Sequence, residues 1–357
     1  MVTDRENWLR TIEFRGPEWI PVTVSINPAT RLRYGEALRP ILERHPRLVS
    51  APEQIMPDPH ALPGRYRAGV DFVDEWGCRW ANLVDGLEGQ VVEHPLADWA
   101  AWKDYQLPDP LSAQTGWPQD WDATVRNVQQ AKENGHLTWG WGDRFFERLI
   151  FLRGFENLMV DLAEGSPLLA ELMDALVEYI LARVRKWVEA GVDIIGFGDD
   201  FGLQDRPMVS PETFRRWFKP AYERMMKPAR EAGVHVLFHS DGYTLPLLPL
   251  FMEMGVDMVN PQDLVHGLDN LAAVCKGKVC VLLDIDRQSI LPFGTPEEVR
   301  AHIKRCVEAL YLPEGGLAMI IGIYPDVPLE NIEAVLSAFD EYCLDLSWIR
   351  GAQPASG

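Results

Sequence analysis

The second half of the chain repeats one arrangement of apolar and polar positions three times. Glu189-Ala190-Gly191-Val192-Asp193 leads through Ile194 and Ile195 to Asp199-Asp200. Glu231-Ala232-Gly233-Val234-His235 leads through Val236, Leu237 and Phe238 to His239-Ser240-Asp241. Glu253-Met254-Gly255-Val256-Asp257 leads through Met258 and Val259 to Asn260-Pro261-Gln262. In each, glycine supplies the left-handed turn that closes a helix, and the apolar run after it reads as a strand buried on both faces. Polar residues just past such strands occupy the rim where α/β enzymes place their chemistry.

The same alternation extends over the rest of the chain. Thr3 with Glu6 predicts a capped first helix carrying Trp8, Leu9, Ile12 and Phe14, and Pro17 and Pro21 bracket the entry to a strand at Val22-Thr23-Val24-Ser25. Residues 50–67 are Pro-rich and read as a loop, Asp74 to Trp80 as a hairpin or inserted arm, and Pro95 to Trp121 as an irregular excursion. Regular structure resumes with a strand at 136–141. Ser166-Pro167 and Ser210-Pro211 then start helices by placing proline in the first helical turn. A strand from Lys278 to Leu283 ends in Asp284-Ile285-Asp286, Thr295 caps a helix, Leu317 to Ile321 forms a strand, and Leu329 to Leu344 the closing helix. This alternation predicts a single (β/α)8 TIM barrel over residues 1–350, with an N-terminal helical and hairpin elaboration, an irregular insertion at about 50–125 and a short tail at 351–357. A doubly wound open sheet is the weaker alternative, because no Gly-rich phosphate loop follows any strand.

Charge narrows the partners. Lys plus Arg number 34 against 53 Asp plus Glu, a formal net charge of -19 over 357 residues. Such a surface disfavours nucleic acid and anionic membranes. No apolar run reaches the ~20 residues of a membrane helix, and the N-terminus lacks a signal-peptide pattern. Five cysteines without a Cys-x-x-Cys pair suit a reduced, cytoplasmic protein.

Ionisable residues collect at the strand ends. His239 and Asp241, two apart, leave an extended strand on one side, suited to holding a metal or to general acid and base work; the alternative is a plain Asp241-Gly242 turn. Asp199 and Asp200 are adjacent, so at most one faces a pocket while the other caps the next segment. Asp284 and Asp286 form another pair, with a helix-start cap near Ser289 as the alternative. Gln262 and Tyr324 follow two further strands. Trp139, Trp141 and Arg144 are candidates for lining a pocket and binding substrate, against packing and an ordinary ion pair. His235 and His266 read as surface or turn residues, and His302 sits on a helix.

Taken together, these motifs resemble the uroporphyrinogen decarboxylase superfamily, which holds the decarboxylase and a set of corrinoid-dependent methyltransferases on a (β/α)8 barrel. The resemblance rests on Arg5-Glu6 with Pro21-Val22, Asp74-Glu75-Trp76-Gly77, Ser210-Pro211-Glu212, His239-Ser240-Asp241-Gly242, Asn260-Pro261, Gly294 to Val299, and Val327 to Ile332. True decarboxylases carry Arg-Gln-Ala-Gly-Arg after the first Pro-Val, where this chain has Ser25-Ile26-Asn27-Pro28-Ala29-Thr30-Arg31. Without that clamp an acidic chain is a poor host for a polycarboxylate porphyrinogen. The thiol-methylating branch holds zinc through His-x-Cys and a later cysteine. Asp241 stands where that first cysteine would be, and Ile321 or a neighbour at the later position.

The resemblance therefore implies a methyltransferase acting on a small O-methylated donor. Zinc would be held by His239 and Asp241 with Asp284 or Asp200, because a carboxylate-rich ion is hard and polarises oxygen. His239, Asp241 and Asp200 are its expected catalytic residues, and Asp199, Trp139, Trp141, Arg144, Gln262 and Tyr324 its expected substrate contacts. The corrinoid is expected on a partner protein, since no cobalamin-binding domain is left over, and a homodimer is the expected assembly. The rival reading is a metal-independent decarboxylase of a small acid, with His239 as proton donor.

Overall fold

The computed structural model describes residues 2–49, 61–114 and 117–351, so the expected loop at 50–67 is seen only from residue 61 and the tail only at Gly351. In chain order the strands are β1 (Val22–Ile26), β2 (Phe72–Val73), β3 (Arg79–Ala81), β4 (Gln90–Glu93), β5 (Ala113–Gln114), β6 (Trp117–Pro118), β7 (Trp139–Trp141), β8 (Ile194–Gly198), β9 (His235–His239), β10 (Met258–Asn260), β11 (Cys280–Asp284) and β12 (Leu317–Ile323). Two compact units share the chain. One comprises Met1–Leu62, Val84–Leu87 and Asn260–Gly357, the other Pro63–Leu83 and Glu88–Val259.

In the second unit β7, β8 and β9 lie parallel, with Trp141 opposite Gly196 and Gly198 opposite His239. The three repeats behave as expected at their caps: Gly191, Gly233 and Gly255 have φ of +77°, +69° and +80°, where a side chain is strained. Ile194, Ile195, Phe197, Val236 and Phe238 are almost completely buried, which is why these strands carry no polar alternation. The Pro167–Ala190 helix starts on Ser166, whose hydroxyl accepts from Leu169 N, and buries a stripe that includes Leu169, Leu172, Leu176, Ile180 and Val184. β2, β3 and β4 form an antiparallel sheet, so Asp74 to Trp80 is a hairpin in which Asp74 accepts from the Trp80 indole at 2.8 Å.

Aromatic side chains fill the space between β8, β9 and the helices that follow them. Phe146 stacks on Phe201 at 4.3 Å, and Phe214, Phe218, Tyr222, Phe238 and Phe251 continue the cluster at 2% exposure or less. Each such ring contributes about 2–3 kcal/mol by leaving water. A π-turn at Phe214–Phe218 precedes Pro220, which has no N–H to continue the α-helical ladder. The turn is followed one helical step later by Tyr222, whose hydroxyl donates to Asp199.

In the first unit β1 pairs with β12 and β12 with β11, all parallel. The Asp4–Ile12 helix is capped by Thr3, and the Pro296–Leu310 helix has the full reciprocal box between Thr295 and Glu298. Asn331 ties the Leu329–Tyr342 helix down by donating to Leu291 O and Gly294 O at 2.8 and 2.7 Å.

Among the described residues, β1 and β7 to β12 are the strands that alternate with helices, one fewer than an eight-unit barrel requires. The stretch read as an inserted arm and an irregular excursion holds the antiparallel arm and a 3-10 turn at Trp99–Asp104 and adds no strand to the parallel series, consistent with its lack of any apolar period. No helix among the described residues is long and apolar enough to cross a membrane.

Candidate active site

β8 ends Gly196-Phe197-Gly198-Asp199-Asp200, and strand alternation sends its neighbouring residues to opposite sides. Phe197 and Asp199 turn towards the helices; Gly196, Gly198 and Asp200 turn the other way. Asp199 is fully buried, and its carboxylate accepts from the backbone N–H of Phe145, Phe146 and Glu147 at 2.7, 2.8 and 2.8 Å and from the Tyr222 hydroxyl. Those N–H groups open the Phe146–Arg153 helix, whose positive end favours a carboxylate. Burial nevertheless raises the Asp199 carboxyl to about 6, against the Tyr222 and backbone bonds that favour its charged form. The structure thus assigns Asp199, expected among the substrate contacts, to the helix it caps.

On the other side Asp200 meets His239 and Asp241. His239 Nε2 lies 3.6 Å from Oδ1 of each aspartate, and Asp241 N donates to Asp200 Oδ1 at 3.1 Å. The three side chains are 24% (His239), 40% (Asp200) and 27% (Asp241) exposed, accessible to a ligand yet held in place. One ligand atom from each lies within 4.8 Å of the others. The expected partner Asp284 lies in the first unit, where Arg287 donates to it at 2.7 Å; Asp200 fills its place in the cluster.

Trp141 borders this cluster, and the two glycines of β8 make room for it. A Cβ on Gly198 would stand 2.8 Å from the indole and 3.4 Å from the His239 ring, and one on Gly196 would stand 2.6 Å from the indole. The indole therefore lies on bare backbone beside His239. Gly198→Ala is expected to displace it at a cost of about 1–3 kcal/mol, read as a lower urea midpoint. Trp139, two residues earlier, is 38% exposed.

The surroundings are acidic. Arg144 donates to Glu88 at 3.0 Å and to Glu147 at 3.4 Å, so its guanidinium already has two carboxylates. Burial opposes its charge, but Glu147 and Glu88 outweigh that and hold it protonated. Glu147 sits in the first turn of the helix that Asp199 caps. Burial pushes its carboxyl up to about 8; Arg144 opposes the shift, and Asp200, Asp199 and Glu88 add to it. Glu88 offsets the Arg144 guanidinium, while Asp200 and Asp241 flank the His239 imidazole, and these last two are the carboxylates placed to attract a cation.

Glu147 carries a pH signature. Its folded value exceeds its ordinary 4.5, so the folded state binds this proton more tightly than the unfolded chain does. The associated stability is present below about pH 4.5 and is lost as pH rises through about 8. In chelator-treated protein, Glu147→Gln is expected to gain on the order of 2 kcal/mol over wild type between pH 5 and pH 8, measured by denaturation at both.

The remaining expected residues belong to the first unit. Gln262 is buried, and its backbone carbonyl accepts from His266 Nδ1 at 2.7 Å. Tyr324 packs against Arg287, whose guanidinium carbon is 5.4 Å from the ring centre. Asp286 accepts from Ser289 N and Ile290 N, both at 2.6 Å, and so fills the helix-start role considered for it. His266, at 2% exposure, is a core residue rather than a surface one, and His302 sits on a helix as expected, buried at 1% exposure. Sequence reasoning missed Glu88, Glu147 and Tyr222. For Glu147 a signal existed, since it follows the strand at Trp139–Trp141 within one short loop.

A profile of uroporphyrinogen decarboxylase (URO-D) matches residues 146–342, more than half of the chain. The chain belongs to the uroporphyrinogen decarboxylase family. The matched stretch of this URO-D chain begins at the helix capped by Asp199 and includes Glu147, Asp200, His239 and Asp241. Methylcobamide:CoM methyltransferase MtaA of Methanosarcina barkeri is 25% identical over 180 residues, 50% of each chain. Uroporphyrinogen decarboxylase of Thermus thermophilus is 30% identical over 180 residues, 48% of each. The URO-D chain therefore spans about half the length of the curated relatives it matches. Among solved structures, a methyltransferase from Methanosarcina mazei has the same fold, with a TM-score of 0.65 and 17% sequence identity over 96% of this chain and 99% of that one.

Proposed function

We propose that this URO-D family protein is an enzyme that moves a methyl group from a small O-methylated compound to a corrinoid carried on a separate protein. Asp200, His239 and Asp241 would hold a zinc ion for that transfer. Relatives named methylcobamide:CoM methyltransferase support corrinoid methyl transfer as the reaction class. The convergence of one imidazole and two carboxylates on a single point carries the reading.

The donor set fits the ion. Zinc bonds of about 2.0–2.2 Å to nitrogen and oxygen put neighbouring tetrahedral ligand atoms about 3.3 Å apart. The two separations of 3.6 Å at His239 Nε2 need little adjustment. The carboxylates balance a divalent charge, and three protein ligands leave a position open for substrate. When bound, such an oxygen-rich zinc would polarise an ether oxygen and make it a better leaving group, which favours an O-methyl donor over a thiol.

The chain's own side chains supply the rest. The Trp141 indole gives the donor an apolar wall beside His239, limiting water at the reacting methyl. Asp199 fixes the helix end that carries Glu147, and Glu88 with Glu147 holds Arg144 at the edge of the acidic set. Metal analysis of protein purified without chelator is the test. Wild type is expected to hold about one more zinc per chain than Asp241→Ala. Equal metal in the two proteins removes the ion from this site.

Glu147 gives a second reading its one specific support. A carboxyl pushed up to about 8 keeps its proton at neutral pH and can protonate a carbanion left by loss of carbon dioxide. A decarboxylase of a small acid would then work without metal. Activity that survives chelation and needs no corrinoid would select it over methyl transfer.

A further inference from the structure

A second set of metal-binding side chains lies in the core of the first unit, and the methyl-transfer reading makes no use of it. His302 and Cys306 are one turn apart on the Pro296–Leu310 helix, and Asp263 begins the Asp263–His266 helix after β10. Their exposures are 1% (His302), 0% (Cys306) and 0% (Asp263). His302 Nε2 is 2.6 Å from Asp263 Oδ2, Cys306 Sγ is 3.6 Å from Nε2, and Sγ is 3.8 Å from Oδ2. One imidazole nitrogen, one thiol sulfur and one carboxylate oxygen thus form a closed triangle, all within 4.8 Å.

We propose that Asp263, His302 and Cys306 form a second, buried zinc site that ties the Asp263–His266 helix to the Pro296–Leu310 helix. The geometry is close to what the ion requires. With zinc bonds of about 2.3 Å to sulfur and 2.0–2.2 Å to nitrogen and oxygen, tetrahedral ligand atoms stand about 3.3–3.6 Å apart. Both edges at sulfur already match within about 0.3 Å. Only the edge between Nε2 and Oδ2, now closed by a hydrogen bond, has to open, and by less than about 1 Å.

Charge argues the same way. Carboxylate and thiolate together carry two negative charges, which a divalent cation neutralises where an uncompensated charge is costly. On binding, the Cys306 S–H bond breaks, a Zn–S bond forms, and the proton leaves to solvent. The His302 proton moves from Nε2 to Nδ1, and the exposed Arg305 guanidinium, 3.4 Å from Nδ1, turns into water. Histidine and cysteine at i and i+4 on one helix face, joined by a residue from another segment, are a donor set suited to zinc. The Asp200 site has no sulfur, so the two sites differ in spectroscopic signature.

Cobalt(II) distinguishes them. Full-length protein produced in cobalt-supplemented medium takes up the metal while it folds, and thiolate-ligated cobalt absorbs in the near ultraviolet by charge transfer from sulfur. Wild type and His239→Ala are both expected to show this band, and Cys306→Ser to lose it together with about one bound metal ion per chain. Wild-type protein that holds cobalt without the band overturns the proposal, whether or not Cys306→Ser folds. A band that persists in folded Cys306→Ser overturns it as well. Because His239→Ala keeps the band, failure of this site and failure of the methyl-transfer site are separate results.

Discussion

Replacing His239 with alanine is expected to lower methyl transfer to a corrinoid by about a hundredfold or more while leaving the fold intact. The imidazole ends β9 in register with Gly198, at 24% exposure, so its removal opens little core. It takes away the one nitrogen between two carboxylates that each lie 3.6 Å from it. Asp200 and Asp241 alone can attract a cation but do not fix its position, and metal affinity should fall with activity. Steady-state rates and metal content of the variant, beside its denaturation curve, check this. Full activity with normal metal content would dismiss His239 as a ligand.

Asp199→Ala is expected to cost about 3–5 kcal/mol of stability, far more than any other single change at the site. Its carboxylate serves three backbone N–H groups and the Tyr222 hydroxyl, all inside the protein. Alanine offers none of them an acceptor, and water has no ready access to a fully buried position. Each stranded donor costs about 1–3 kcal/mol, moderated by relaxation at the helix end. Tyr222→Phe removes one of the four bonds and should cost about 1 kcal/mol. The midpoint and slope of denaturant unfolding give both numbers. An Asp199→Ala loss below about 1 kcal/mol would mean that the helix start is held by something else.

These residues also show which parts of the molecule can be read from sequence. A glycine cap followed by an unbroken apolar run located β8, β9 and β10, because backbone conformation and burial are both local consequences of residue type. The opposite directions of Asp199 and Asp200 were legible too, since alternation along a strand separates neighbours. What those directions meet was not legible. The groups that bind Asp199 lie 52 to 54 residues before it and 23 after it.

The strand-end rule also ranked Asp284 with His239, whereas a local partner, Arg287, three residues on, takes up its carboxylate. Glu147 looks ordinary in sequence because its shift arises from burial and from Asp200, Asp199 and Glu88, brought near only by folding. His302 and Cys306 have metal-ligand spacing, but nothing in the helix's own sequence says that Asp263 completes the set.

The most direct test of the central claim follows methylation of a free corrinoid by its visible spectrum. A small methyl ether serves as donor, first with chelator-treated protein and then after zinc is restored. The account predicts no methylcorrinoid from the treated protein, recovery with zinc, and no recovery in the Asp241→Ala variant. Methylation that proceeds at an unchanged rate in the chelated protein would contradict it.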